Sequence, residues 1–140
     1  MYTINNEDVI SADLLSVEEA NKLPKWILAN GDWWWLQSKG YYMDYTAGVN
    51  SNGVVDDIGN FVNGDDYGVR PALVVVNIPS LRVGETVEAF GLVAQYIGNN
   101  KVLLCENIFF SRFDEKSNKY KTSEIKQKLD EWFKKNKEEQ

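Results

Sequence analysis

The chain has 140 residues, a formal net charge of −6, 44% hydrophobic residues and 13% aromatic residues. That length suits one domain able to bury a core without disulfide or metal staples, and so many rings argue against disorder. One cysteine and no histidine exclude intrachain disulfides, thiolate zinc clusters, Ser-His-Asp and Cys-His catalysis, and histidine metal sites.

The opening "MYTINNEDVI" has neither a basic leader nor an apolar stretch, and nowhere do about 18 apolar residues run together. The expectation is a cytosolic protein, in the host cytosol if phage-encoded, with no membrane span. "SVEE" at 16–19 is a capping box, which predicts a short helix from about Val17 to Leu23. Pro24 limits that helix, and "PKWILA" offers a further turn with Pro24 at the first helical position.

The run "WWWLQS" at 33–38 follows. In a strand, Trp33, Trp35 and Gln37 face one way while Trp34, Leu36 and Ser38 face the other. Trp34 and Leu36 are expected to anchor the core, and Trp33 and Trp35, with Gln37, to be open to a ligand unless the last helix covers them. "YYMDY" at 41–45 places Tyr41, Tyr42, Asp44 and Tyr45 in a loop, where tyrosine gives contact area at low entropic cost.

Residues 39–68 are rich in Gly, Asn and Asp, as hairpins require. Asn52-Gly53 predicts a two-residue type I′ turn and Asn63-Gly64 a second turn. "VRPALVVV" at 69–76 reads as a buried strand with Pro71 near an edge or a strand start. Arg70 is expected to be structural, held by a carboxylate or a cage of carbonyls.

After Pro79, "LRVGETVEAFGLVAQYIGNNKVLLCENIFF" predicts two or three strands with a turn at "IGNN", and Cys105 as a buried strand residue. "TSEIKQKLDEWFKKNKEE" predicts an amphipathic helix capped by Thr122 or Ser123, with Ile125, Leu129, Trp132 and Phe133 on its buried face. The fold class is therefore α+β: one domain, a mainly antiparallel twisted sheet with hairpins, a short N-terminal helix and an amphipathic C-terminal one.

Charge is uneven, with four basic and eleven acidic residues over 1–79, three and five over 80–115, and eight and five over 116–140. An acidic body disfavours nucleic acid as a partner, since such binding needs cations against phosphate. Asn50, Asn52, Asp56, Asp57, Asp65 and Asp66 offer oxygen ligands for calcium, but no loop has the EF-hand register, and no metal or cofactor is expected.

"WWLQS" at 34–38, "GVNSNGVV" at 48–55 and "GVRPALVV" at 68–75 together resemble the WWLRS and GVRPAL blocks of the bacterial family catalogued as domain of unknown function 6273. "VGETVEAFG" at 83–91, "VLLCENIFFSRFD" at 102–114 and "YKTSEIKQKLDEWF" at 120–133 look like its remaining strands and helix. In that family the second block comes first. The resemblance thus implies a circular permutation, residues 1–79 matching the usual C-terminal half and 80–140 the usual N-terminal half. Gln37 and Lys39 stand where the family has arginine and proline, so no role passes to them. The spacing of tryptophan strand, hairpin and G-x-R strand is also similar to the C-type-lectin-like fold, which by itself fixes no function.

Two functions follow as expectations. One is a non-enzymatic binding module, bacterial or phage, that recognises a protein or carbohydrate through the aromatic segment from Trp33 to Tyr45. The other is a phage or mobile-element inhibitor whose acidic surface fills the nucleic-acid groove of a host defence nuclease.

Overall fold

Two short strands come first, β1 (Tyr2–Ile4) and β2 (Val9–Asp13), in the computed structural model, which describes residues 1–138. Neither has a sequence pattern of its own. The capping box then forms as its residues require: Ser16 Oγ accepts from the Glu19 N–H and Glu19 Oε1 from the Ser16 N–H, both at 3.1 Å. Helix α1 spans Val17–Asn21, and α2 spans Lys25–Leu28 with Pro24 at its N-cap, one place earlier than expected.

The strands β3 (Trp34–Lys39), β4 (Tyr45–Val49), β5 (Val55–Phe61), β6 (Tyr67–Val69) and β7 (Ala72–Val75) follow. After them come β8 (Thr86–Ala89), β9 (Leu92–Gly98), β10 (Lys101–Leu104), β11 (Phe109–Ser111) and helix α3 (Glu124–Glu138). Ser123 caps α3, its Oγ accepting from the Lys126 N–H at 3.1 Å.

The strands make two sheets rather than one. A six-stranded sheet has the order β1-β8-β9-β10-β7-β2 and a five-stranded sheet the order β11-β6-β3-β4-β5. Most pairs are antiparallel, and β1 with β8 and β3 with β6 are parallel. In the larger sheet β8, β9 and β10 lie between strands drawn from residues 1–79. The two segments on either side of Pro79 therefore build one α+β domain.

Two turns show what asparagine can do. Asn99 and Asn100 both have positive φ, 54° and 58°, and close β9 onto β10 in the two-residue turn that "IGNN" predicts. At the β4–β5 hairpin the expected type I′ turn on Asn52-Gly53 does not form, because Asn52 is not left-handed and only Gly53 is, at φ 84°. Instead Asn50 accepts from the Gly53 N–H through its carbonyl and from the Asn52 and Val54 N–H groups through Oδ1. The result is a three-residue loop ending in a left-handed glycine, fixed by the Asn50 side chain.

The segment read as one strand, 69–76, is broken at Arg70-Pro71. There the chain leaves β6 in the smaller sheet and enters β7 in the larger. Pro71 lacks the N–H a ladder needs, so it stands at the crossing, while its carbonyl accepts from the Leu104 N–H at 3.1 Å.

Two apolar cores result. In one, Trp35, Val69 and Phe113 join strands of the larger sheet with Ile125 and Leu129 of α3, and Trp132 and Phe133 pack at its margin. In the other, Trp34, Leu36, Ala47 and Val49 meet Leu15, Ala20, Ile27 and Leu28 from the N-terminal helical segment, with Ala72 and Leu103. Strand β3 lies centrally between β6 and β4, and its alternate side chains belong to different cores.

Candidate functional site

The central position of β3 corrects part of the expected binding face. Trp35 is fully buried, in the same core as α3, and its Nε1 donates to the Ser111 carbonyl at 2.8 Å. Trp33 is half-buried. Its ring stands 5.1 Å from Trp35 in an edge-to-face contact and 4.4 Å from Tyr67, above Gly48 of β4. A Cβ at Gly48 would come within 2.0 Å of that indole, so this glycine makes the space for the ring. Gln37 is also half-buried and donates through Nε2 to the Leu14 carbonyl at 2.6 Å. Trp35 is wholly spent on the scaffold, as are Trp34, whose Nε1 donates to Leu28 O at 3.0 Å, and Leu36, while Trp33 and Gln37 make scaffold contacts and stay partly exposed.

Arg70 occupies the expected cage of carbonyls. It is 1% exposed and donates to Leu104 O, to Leu28 O at 2.9 Å and to Ile27 O at 2.8 Å, with its guanidinium over the Trp34 ring. Burial pulls its pKa down to about 10, which leaves it charged at neutral pH. The site is structural: one cation ties α2 to the end of β10.

The tyrosine loop has the opposite character. Between β3 and β4 the chain turns at 40–45, with the Gly40 N–H donating to Tyr45 O and the Tyr45 N–H to Tyr42 O. The Tyr41 N–H donates to Ile58 O of β5, which fastens the loop to the edge of the sheet. Tyr41 and Tyr42 are 76% and 54% exposed, Met43 92%, and Asp44 is exposed as well. Tyr41, Tyr42, Tyr45 and Phe61 form a chain of edge-to-face contacts with ring centroids 4.6 to 4.9 Å apart.

A second loop lies against this one. Buried Asn118 donates through Nδ2 to Tyr45 O at 3.1 Å and reaches Tyr42 O at 3.5 Å. Its loop is shaped by Asp114, whose Oδ2 accepts from the Lys116 and Ser117 N–H groups and whose Oδ1 accepts from the Glu124 N–H at the start of α3. Burial works against the Asp114 charge, but the backbone donors outweigh it and hold the carboxyl below its usual range. Between the loops runs an open groove of about 450 Å³, lined by Tyr41, Tyr42, Met43, Lys39, Lys116 and Lys119 among others. Sequence reading found the tyrosines and missed Met43, Phe61, Asn118 and the lysines. Asn118 and Tyr42 are 76 positions apart, and no local pattern joins them.

A larger cleft, about 690 Å³, lies at the other end of α3, between the β8–β9 turn and the segment after β10. Phe90 and Gly91 make that turn with φ of 54° and 74°, and Phe90 packs against Trp132 and Phe133. Cys105 lines this cleft just past β10, half-buried rather than within the strand, and burial raises its thiol pKa. A thiol so shifted, with no imidazole in the chain, is a poor nucleophile.

Of the six residues considered for calcium, Asn50, Asp56 and Asp65 turn side-chain oxygens to local hydrogen bonds. Asp56 Oδ1 accepts from the Gly59 N–H and Asp65 Oδ2 from the Tyr67 hydroxyl, beside the Asn50 contacts above. Among the described residues no three or more His, Cys, Asp or Glu side chains are gathered as a metal site would need, and no helix is long and apolar enough to cross a membrane.

No family model matches the chain, and no match is found among curated proteins or solved structures. The functional reading therefore rests on the geometry of the two loops.

Proposed function

We propose that this protein is a non-enzymatic binding module that docks another protein through its tyrosine loop. The observation that carries the reading is the run of exposed Tyr41, Tyr42 and Met43 continuing into Phe61, 49% exposed, on a loop tied to a sheet edge and to Asn118. A cluster of large apolar side chains left in water on a rigid support is what marks an interaction surface. Tyrosine and methionine suit it, the first giving area with few rotors and the second adapting to shape. The rings contact one another edge to face, which suits an irregular peptide surface better than the flat platform a sugar ring stacks on.

The test is selection of random displayed peptides on the wild-type protein, with the isolated peptides rebound to a Tyr41→Ser, Tyr42→Ser variant. The expected outcome is peptides that bind the wild type and bind the variant at least about tenfold more weakly, the loss of a hot spot. Peptides that bind both equally would refute the reading. Peptides that avoid the loop and follow the exposed aspartates instead would favour the acidic-inhibitor alternative.

A further inference from the structure

We infer that the groove beside the tyrosine loop takes an extended acidic segment of the partner protein, an inference that rests on the docking reading above. Lys39, Lys116 and Lys119 converge on this groove, and none of the three forms a salt bridge among the described residues. Four other cations are paired, Lys101 with Glu19, Arg112 with Glu124, Lys126 with Asp13 and Asp130, and Lys128 with Glu124, while exposed Lys22 and Lys121, like the groove lysines, form no salt bridge among the described residues. In a chain of net charge −6, this groove is lined by three lysines and, among the described residues, by no carboxylate, which makes its lining cationic.

The carboxylates nearest in sequence stand outside the lining. Asp114 turns both oxygens to backbone N–H groups and keeps its charge, and Asp44, Asp114 and Glu115 line no part of the groove. The groove is also set before any partner arrives. Asn118 holds its two walls together, and Ser117 Oγ accepts from the Lys119 N–H at 3.1 Å. A partner then meets little ordering cost on this side of the interface.

The chemistry selects the occupant. Lysines at the rim offer point charges for carboxylates, and the tyrosine rings with Met43 offer apolar contact for the side chains between. A cleft of about 450 Å³ suits a short stretch of extended chain rather than a folded surface. Single-stranded nucleic acid would also find rings and cations here. Its phosphate chain, however, would run on past strand β5, which bears Asp56 and Asp57, and the β5–β6 connection, which bears Asp65 and Asp66, where repulsion opposes it.

The experiment measures fluorescence anisotropy of a labelled glutamate–tyrosine random copolymer, with labelled oligothymidylate as the competing class. The proteins are the wild type and a Lys39→Glu, Lys116→Glu, Lys119→Glu variant whose thermal midpoint is measured first. A second variant, Lys39→Gln, Lys116→Gln, Lys119→Gln, serves if the charge reversal does not fold. The copolymer should bind the wild type, weaken by at least about tenfold in either variant, and weaken steeply as salt rises from about 50 mM to about 500 mM. No binding of the copolymer, equal binding to both proteins, or tighter binding of oligothymidylate overturns the inference. Its failure is separable from failure of the docking reading: displayed peptides that need Tyr41 and Tyr42 yet are neutral, and ignore the lysine variants, sink only the acidic-segment proposal.

Discussion

Two aromatic runs lie within thirteen residues of each other, Trp33 to Trp35 and Tyr41 to Tyr45, and they meet opposite fates. The first runs into a central strand with core on both sides, so Trp34 and Trp35 are wholly buried and their indole N–H groups are spent on carbonyls. The second lies in a loop at the sheet edge, where Tyr41 and Tyr42 stand in water. The difference does not lie in hydrophobicity, since tryptophan and tyrosine are both amphipathic. It lies in topology, which gives β3 a neighbour on each side and a cover on each face, and leaves the rings of Tyr41 and Tyr42 at the sheet edge largely uncovered.

Substitutions should break this contrast in a definite order. Trp35→Ala should cost about 3 to 5 kcal/mol, the range for a truncated core ring, read as a fall in the denaturation midpoint by urea. A cost under about 1 kcal/mol would show that the ring is not in the core. Arg70→Leu should cost about 3 kcal/mol, because buried carbonyls of Ile27 and Leu104 lose their guanidinium donors, while Leu28 O keeps the Trp34 indole. Asn118→Ala should cost about 1 kcal/mol in the same measurement and should also weaken peptide binding, since it frees one wall of the groove from the other.

Acid should act more gently, with a sign set by the carboxylates beside the lysine loop. The hydrogen bond from Arg112 holds the Glu124 pKa below its ordinary 4.5, and the backbone donors described above hold Asp114 below 3.8. Stabilisation by a depressed carboxylate is complete above its unfolded pKa and is lost as pH falls through the folded one. Stability should therefore be flat with respect to these groups from neutrality down to about pH 5 and decline below about pH 4. Continued decline above that window, in thermal midpoints taken across pH, would place the responsible groups elsewhere. Smallest of all should be Tyr41→Ser with Tyr42→Ser, within about 0.5 kcal/mol of the wild type in stability despite the loss of binding.

What the sequence made legible was local. The Ser16–Glu19 capping box, the α3 stripe from Ile125 to Phe133, and the asparagine turn at 99–100 each need only neighbours a few residues away. The strands β1 and β2 carry no such signal and exist because β8 and β7 pair with them from far along the chain. Trp35 was misplaced for the same reason: alternation tells which side chains share a face, and only the tertiary fold tells what covers it. The cage around Arg70 was foreseeable in kind, since a guanidinium beside proline in an apolar run must find acceptors, but not in its partners. The groove was half visible, its tyrosines contiguous and its lysines contributed by the end of β3 and by a distant loop before α3.

The crossing at Arg70-Pro71 has a mechanical consequence. Two residues separate β6 from β7, and the cation among them grips α2 and the end of β10 at once. Neither sheet can peel from the other without releasing that grip, so amide deuterium uptake in β6, β7 and β10 should proceed on one clock, as a single opening unit. In Arg70→Leu the β6 amides should exchange ahead of those in β7, turning one rate into two.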